Sequence, residues 1–456
     1  MKPTQAQQQK FVKMTTQPVG RLVTQLALPS IVSMLVSGIY NLADTFFVGQ
    51  INTQSVAAMG IVFSYMTLIQ AIAFFFGQGS GNYISRALGR QDIDQAGMMA
   101  SVGLVSSVGT GVLLAAVGFA LMDPILHFLG STATIMPFAR DYFTYILLGT
   151  PFIMGCFTMN NQMRQQGNAS LAMLGILSGA LLNIALDPLL IFGLGLGIRG
   201  AGLATAVSQL SGFVLMLFLT GRNGGLPIRL RQFRPTLHRY AEIAAGGLPS
   251  LARQSLMSIS VICLNLMASY HGDEAIAAFS VVGRIAMLAG AAMIGYGQGF
   301  QPVCGFNWGA KLYGRVRESY LFTIGLCVVI LLVTSAAGWI YAPEIIAFFR
   351  DEDPELIRIG TVVLRWQCVA FPLVGLTTPT NMLLQNIRRT GRATLLAMMR
   401  HGIAFYPTLF ILPAIWGLQG LEATMATADL LTFSLALPFA ISMIRELSAR
   451  EKGEFS

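Results

Sequence analysis

Residues 26–50 read LALPSIVSMLVSGIYNLADTFFVGQ, a predominantly apolar run that contains one charged residue, Asp44. A helix needs about 20 apolar residues to cross the hydrocarbon core of a bilayer, so this run is long enough to span it. Its opening tripeptide, Leu28-Pro29-Ser30, returns as Leu248-Pro249-Ser250, 220 residues later. The run therefore predicts a membrane helix that opens each of two repeated halves.

The rest of the chain contains further apolar stretches of the same kind, separated by short polar loops. The sequence thus predicts an all-α polytopic membrane protein, with twelve transmembrane helices in two pseudo-symmetric six-helix lobes. The twelve stretches lie near 25–49, 54–79, 97–122, 138–159, 170–194, 200–220, 244–269, 275–303, 318–341, 356–381, 394–414 and 420–444. The predicted segments are an N-terminal segment 1–24, an N-lobe 25–220, a basic linker 221–243, a C-lobe 244–444 and a tail 445–456.

Composition agrees with lipid as the main solvent. Hydrophobic residues make up 54% of the chain and charged residues only 11%, against roughly 25% charged in soluble domains. The net charge of +9 could suggest nucleic acid as a partner, but the basic residues lie in short loops between apolar runs. That placement is typical of the positive-inside rule.

Loop charge also predicts orientation. If both termini are cytoplasmic, 21 Lys and Arg lie on the cytoplasmic side, and four, Arg140, Arg199, Arg350 and Arg358, lie on the other. This asymmetry predicts a multi-pass protein of the cell inner membrane with both termini in the cytoplasm. The first apolar run is too long for a signal-peptide core and is expected to stay as a span.

Two more repeats share the offset of 220. Gly77-Gln78-Gly79 returns as Gly297-Gln298-Gly299, and the Gly197–Gly200 loop returns at 417–420. Three matches in one register indicate homologous halves. Because six spans is an even number, both halves face the same way, and such transporters place their substrate site between the halves near mid-membrane.

The second of those repeats also explains a misleading motif. Gly195-x-Gly197-x-x-Gly200 fits the dinucleotide-binding fingerprint, but it follows a membrane span rather than a strand. We interpret it as a tight loop between helices.

Carboxylates inside the spans are the strongest functional signals, because a charge at mid-membrane is costly. Tyr40, Asn41 and Asp44 share one helix face, and Asn183 lies one turn before Asp187. Pro188 should distort its helix and free carbonyl oxygens. Oxygen ligands suit Na⁺, and two neighbouring carboxylates also suit a shared proton.

The second half lacks these acids. Leu264 is the repeat partner of Asp44, and Tyr406-Pro407-Thr408 matches the region of Asp187. This difference favours a coupling site in the N-terminal half. The alternative is that each Asp caps or hydrogen-bonds a broken helix.

Long motifs in this chain resemble the MATE (multidrug and toxic compound extrusion) family. The first is the opening run at 26–50. The others are ISRALGRQD after helix 2 and NIALDPLLIFGLGLGIRGAGLATAVSQ across helices 5 and 6. The similarity covers essentially the whole chain. It implies cation-coupled antiport of amphipathic, often cationic, drugs by a monomer that uses H⁺ or Na⁺ and no cofactor.

The resemblance also implies site residues. In MepA-like and DinF-like members, the family's cation site matches Asp44, Asn183, Asp187, Thr205 and Tyr40. NorM-like members carry acids in helices 7 and 10, and neither helix carries a carboxylate here at the corresponding motifs, LPSLARQSLMSIS and FPLVGLTTPTNMLLQ. This departure favours the MepA/DinF-like groups.

The substrate cavity and the remaining buried charges give weaker signals. Flexible thioethers suit a promiscuous cavity, so the candidate cavity residues are Met34, Met173, Met287 and Arg284. Arg284 and Arg365 are expected to pair with Glu422 or Asp429. Arg253 and Arg400 are expected to lie near span ends, where their side chains snorkel.

The predicted function is therefore a cation-coupled antiporter whose partners are a small amphipathic or cationic substrate and membrane lipid, with no nucleic acid. The alternatives are a flippase of a lipid-linked precursor and a dedicated metabolite exporter. An enzyme is not expected, because the chain contains no HExxH, no GxSxG and no histidine or cysteine grouping suited to a metal.

Overall fold

The computed structural model describes residues 3–348 and 353–453, except for the side chain of Asp273. Lys2 and Arg350, which entered the charge comparison, lie outside these residues. Within them the secondary structure is helical, with no strand. The first half contains α1 (Gln5–Thr16), α2 (Val19–Gly49), α3 (Thr53–Gly89), α4 (Ile93–Ala120), α5 (Met122–Phe128), α6 (Met136–Gln165), α7 (Ala169–Pro188) and α8 (Ile198–Thr220).

The second half repeats this order from α2 onward, with α14 and α15 together in the place of α7. Its helices are α9 (Leu237–Ser269), α10 (Asp273–Gly309), α11 (Tyr313–Ile340), α12 (Ala342–Ala347), α13 (Pro354–Asn386), α14 (Thr390–Met398), α15 (Phe405–Trp416) and α16 (Leu418–Glu451). A π-helical turn, Leu189–Gly193, extends α7, and another, Met399–Ile403, joins α14 to α15. In the described part, twelve helices are long and apolar enough to cross a membrane, as predicted.

Local sequence explains where these helices begin and bend. The Asn52 side chain accepts a hydrogen bond from the Ser55 amide at 2.7 Å and so caps the start of α3. Pro188 cannot donate a backbone hydrogen bond, and α7 changes to a π-helical turn directly after it. The predicted distortion of helix 5 is confirmed.

The glycines of the misleading fingerprint form a helix connection. Gly195 and Gly197 have φ of +65° and +55°, a region that favours glycine. A Cβ on Gly200 would lie 2.7 Å from the carbonyl of Leu190, so the loop folds tightly onto the end of the preceding helix. Gly417 repeats the conformation at φ +56° in the second half.

The chain forms two compact units that exchange parts of two helices. The first unit contains residues 3–16 and 32–247, and the second contains residues 17–31 and the described part of 248–456. The predicted lobes instead kept helices 1 and 7 whole. The first part of α2 therefore belongs with the second unit, and the first part of α9 with the first unit.

The repeated Gly-Gln-Gly explains this exchange. A Cβ on Gly79 would lie 2.1 Å from the carbonyl oxygen of Ile243, so α9 approaches α3 at backbone distance within the first unit. In the second unit, a Cβ on Gly299 would lie 2.6 Å from the amide nitrogen of Ala27 on α2. The two glycines give each unit the same close helix contact.

Candidate cation site in the first unit

Three helices of the first unit bring the predicted acids together. Asp44 on α2 is 5% exposed and Asp187 on α7 is 0% exposed. Their carboxylates lie close enough to repel each other electrostatically. Asn183, one turn before Asp187, and Thr205 on α8 are also buried. The structure therefore assembles residues from three separate helices into one buried polar cluster.

Most polar atoms of this cluster have no hydrogen-bond partner. They are Oδ1 of Asp44, both carboxylate oxygens of Asp187, the amide nitrogen and oxygen of Asn183, and the hydroxyls of Thr205 and Ser208. Buried polar groups in folded proteins are nearly always hydrogen-bonded, and each exception calls for an explanation such as an ion. A group of exceptions at one place points to a bound ligand.

The chemistry of these atoms fits a hard monovalent cation or a proton. All but one of them are oxygens, from carboxylate, amide and hydroxyl groups, which are the ligand types that hard cations prefer. In the described part of the chain, no group of three or more His, Cys, Asp or Glu is placed to hold a metal ion. The cluster therefore suits Na⁺ or H⁺ better than a transition metal.

The cluster borders a cavity within the same unit. This cavity, of about 140 Å³, lies among α2, α3, α6, α7 and α8. Tyr40 and Asn41 form part of its wall on α2, and Asn183 and Thr205 reach it from α7 and α8. Asn41 is exposed and donates to the Ser37 carbonyl at 2.8 Å. Tyr40 and Asn41 thus lie at the cavity surface, whereas Asp44 and Asp187 are buried.

Sequence reasoning missed several residues at this site. Ser208 lies one helical turn after Thr205, and Gln70 and Met66 on α3 line the cavity. The phenol of Tyr142 lies beside Thr205, outside hydrogen-bond geometry. The spacing of Thr205 and Ser208 on one helix face could have revealed Ser208. The residues of α3 and α6 carry no comparable signal.

The four residues predicted to line the substrate cavity do not line the cavity described above. Met34 and Met173 are half-buried and do not line this cavity. Met287, 60% exposed, and the exposed Arg284 both lie on α10 in the second unit. Neither Met34 nor Met173 lines the cavity beside the acid cluster, and the role of all four side chains in substrate binding stays a prediction.

The expected pairing of Asp429 with Arg284 or Arg365 is wrong. Asp429 pairs with Arg400 rather than with Arg284 or Arg365, with Nε to Oδ1 at 2.5 Å and Nη2 to Oδ2 at 3.2 Å. Arg365 instead lies over the Trp339 ring at 5.6 Å. The π-helical turn shifts the helical register at 399–403, and this local change is not visible in apolar spacing.

Arg253 and Arg400 lie away from the ends of their helices, and the snorkelling of their side chains stays a prediction. Arg253 lies at the middle of the helix Leu237–Ser269, and Arg400 lies close to the middle of the helical stretch Thr390–Trp416. The apolar runs appeared shorter in sequence because the polar first turns of α9 and α14 belong to the same helices.

Comparisons with known proteins agree with this architecture. A profile of the MatE family matches residues 29–189 and 249–410. A multidrug export protein MepA of Staphylococcus haemolyticus is 26% identical over 432 residues, which cover 94% of this chain and 95% of that protein.

Solved structures show the same likeness. An outward-facing multidrug resistance MATE transporter of the MOP superfamily superimposes with a TM-score of 0.89 at 26% identity, over 99% of this chain and 100% of that one. A MATE structure in complex with MaL6 also gives a TM-score of 0.89 at 26% identity, over 97% and 99% of the two chains.

Proposed function

This chain belongs to the MATE family, and from that premise we propose that it is a cation-coupled antiporter that exports amphipathic, often cationic, small molecules. It is a membrane transporter and not an enzyme. We further infer that it resides in the inner membrane with both termini in the cytoplasm, as the loop charges predict.

The observation that carries the proposal is the buried cluster of unpartnered oxygens on α2, α7 and α8. Two neighbouring carboxylates without partners are unfavourable in a membrane interior when both are charged. Binding H⁺ or Na⁺ removes that cost. The cluster therefore provides the differential affinity that a coupling ion needs in order to shift a conformational equilibrium.

The proposed cycle follows from this coupling. The outward-facing state takes up the cation at Asp44 and Asp187. Neutralised acids let α2 repack against α7 and α8, and the cavity lined by Tyr40 and Asn41 shrinks, which releases the substrate. The return to the inward-facing state carries the cation in.

Export is favoured over the flippase alternative by two observations. The curated relative reported above is a multidrug export protein. A pyrophosphate head group in this cavity would also lie near negative charge, because Asn183 and Thr205 of its wall belong to the cluster that contains Asp44 and Asp187.

Ethidium efflux from proteoliposomes tests the proposal, under an imposed pH gradient and separately under a Na⁺ gradient. We expect one gradient to drive efflux by the wild type, and Asp44→Asn or Asp187→Asn to abolish it. Asp141→Asn is the matched control. Asp141 is an acid of the same unit, and it forms an ion pair with Arg199 at 3.0 Å. Wild-type efflux by Asp44→Asn would overturn the assignment of the site.

A further inference from the structure

The second unit contains a pair of arginines that the cation cycle does not use. Arg253 and Arg400 both lie inside candidate membrane spans, on α9 and on the π-helical turn before α15. A charge at such a position is rare and by default indicates function. Arginine does not lose its proton in proteins, so the charge must be compensated by a partner, by water or by a ligand.

Contacts between the two elements bring these arginines together. On α9, Arg253, Leu256 and Ser260 share one helix face. Leu256 packs on the π-helical turn, where a Cβ on Gly402 would lie 3.1 Å from Leu256 Cδ1. Ser260 donates a hydrogen bond to the His401 carbonyl at 2.6 Å. The guanidinium groups of Arg253 and Arg400 are close enough to repel each other.

The available acids do not neutralise both arginines. Asp429, 2% exposed, binds Arg400 through both carboxylate oxygens. Glu422 lies two turns earlier on α16, and its electrostatic neighbours are Arg358 and Glu355 at the start of α13. Within the described residues, Arg253 has no hydrogen bond or ion pair. The pair of arginines therefore carries an uncompensated positive charge.

Neither arginine is fully buried. The Arg400 side chain is 28% exposed although its partner Asp429 is buried, and Arg253 is partly exposed. π-Helical turns occur frequently at functional sites. In the first unit such a turn follows Asp187 and Pro188, and in the second unit it carries Arg400 itself.

We propose that Arg253 and Arg400 bind the carboxylate of those transported molecules that carry one. A planar guanidinium binds a carboxylate through two parallel hydrogen bonds, which gives both strength and orientation. This inference rests on the proposed export function but concerns a separate site, within the second unit.

A matched pair of dyes tests the proposal. Rhodamine 110 carries a free carboxylate, and rhodamine 123 is its methyl ester with the same chromophore. Binding of each dye to the purified full chain in lipid nanodiscs is measured by fluorescence anisotropy, in neutral lipid and again with phosphatidylglycerol. Because binding is measured rather than transport, a failure of gradient-driven ethidium efflux would count against the proposed function alone.

We expect Arg253→Gln to weaken rhodamine 110 binding about tenfold, the effect of losing a charge-assisted hydrogen bond, and to leave rhodamine 123 nearly unchanged. Arg253→Lys should restore part of the affinity, because it keeps the charge. Arg365→Gln is the matched control, because it removes a positive charge of the same unit that stacks on Trp339.

A gain of affinity separates recognition from misfolding. Asp429→Asn removes the carboxylate that competes for Arg400, so we expect it to tighten rhodamine 110 binding. Equal effects of Arg253→Gln on both dyes would overturn the proposal. So would an effect that appears only with phosphatidylglycerol, because the ligand would then be a lipid phosphate.

Discussion

The two units share a frame and differ in their charges. Both contain the same close helix contact at Gly79 and Gly299, the same glycine-led loop at Gly197 and Gly417, and a π-helical turn in the fifth span. The first unit places unpartnered acids beside that turn, and the second places an Arg400–Asp429 pair there. The repeat thus maintains the helix packing, while the polar residues of the two halves have taken different roles.

The largest expected effect concerns moving the acid from one unit to the other. In the double variant Asp44→Asn, Leu264→Asp, the acid stands at the repeat position in the second unit. We expect gradient-driven ethidium efflux to stay abolished, because the repeat region of Asp187 in the second half, Tyr406-Pro407-Thr408, contains no acid. Recovered efflux would show that the units are chemically interchangeable, and would contradict the different roles of their polar residues.

Breaking the charge pair of the second unit should destabilise it. Arg400→Leu leaves Asp429 buried without a partner, and we expect a loss of about 3 kcal/mol of stability. Thermal unfolding in detergent measures it. Arg358→Gln is the control, because its pair with Glu355 is exposed and such pairs contribute little. Equal melting temperatures for the two variants would contradict this role of the pair.

The shared frame should respond equally in both units. Gly79→Ala and Gly299→Ala place a Cβ against backbone atoms at 2.1 Å and 2.6 Å, and overpacking of this kind costs about 1–3 kcal/mol. Gly60→Ala and Gly290→Ala, on the same two helices, meet no atom within 4 Å and should not destabilise. If only one of Gly79→Ala and Gly299→Ala lowered the melting temperature, the two close helix contacts would not be equivalent.

The smallest effect concerns α1, which packs on the first unit. Lys10 donates to Asn168 at 2.7 Å, and burial, with the charge of Lys13, lowers the pKa of Lys10 from 10.5 to about 7. Between pH 7 and 10.5 undocked α1 holds more protons than docked α1, so docking strengthens as pH rises, by at most about tenfold per pH unit.

Hydrogen exchange of the α1 amides measures this docking. Slower exchange at pH 9 than at pH 7, after correction for intrinsic rates, is the expected result. Lys10→Met should remove the pH dependence and keep the protection. A pH dependence that persists in Lys10→Met would assign it to another group.

The sequence predicted the frame because its physical causes are local. Length and apolarity determine the spans, and the three repeats predicted the six-plus-six arrangement. The helix ends were harder to predict. The apolar run ends near 79, but α3 continues to Gly89. Gln78, Asn82 and Arg86 are buried there against α6 and α9, and hydropathy does not detect polar residues that tertiary contacts bury.

The sites were also predictable only where their cause is local in the sequence. Asp44 and Asp187 could be found because an acid inside a span is conspicuous. The Arg400–Asp429 pair could not, since it depends on a π-helical register shift. The helix α1 also went unpredicted, because the segment is polar and only a few contacts, such as that of buried Met14 with Gly167, show that it docks.

The most direct test of the central claim counts the cations that substrate displaces from the purified protein. Ethidium is added to saturation in weakly buffered detergent solution, and the released H⁺ and Na⁺ are measured. A buried cluster on α2, α7 and α8 that binds the coupling ion predicts stoichiometric release by the wild type and by Asp141→Asn, and none by Asp44→Asn or Asp187→Asn. Unchanged release by both cluster variants, with ethidium still bound, would contradict it.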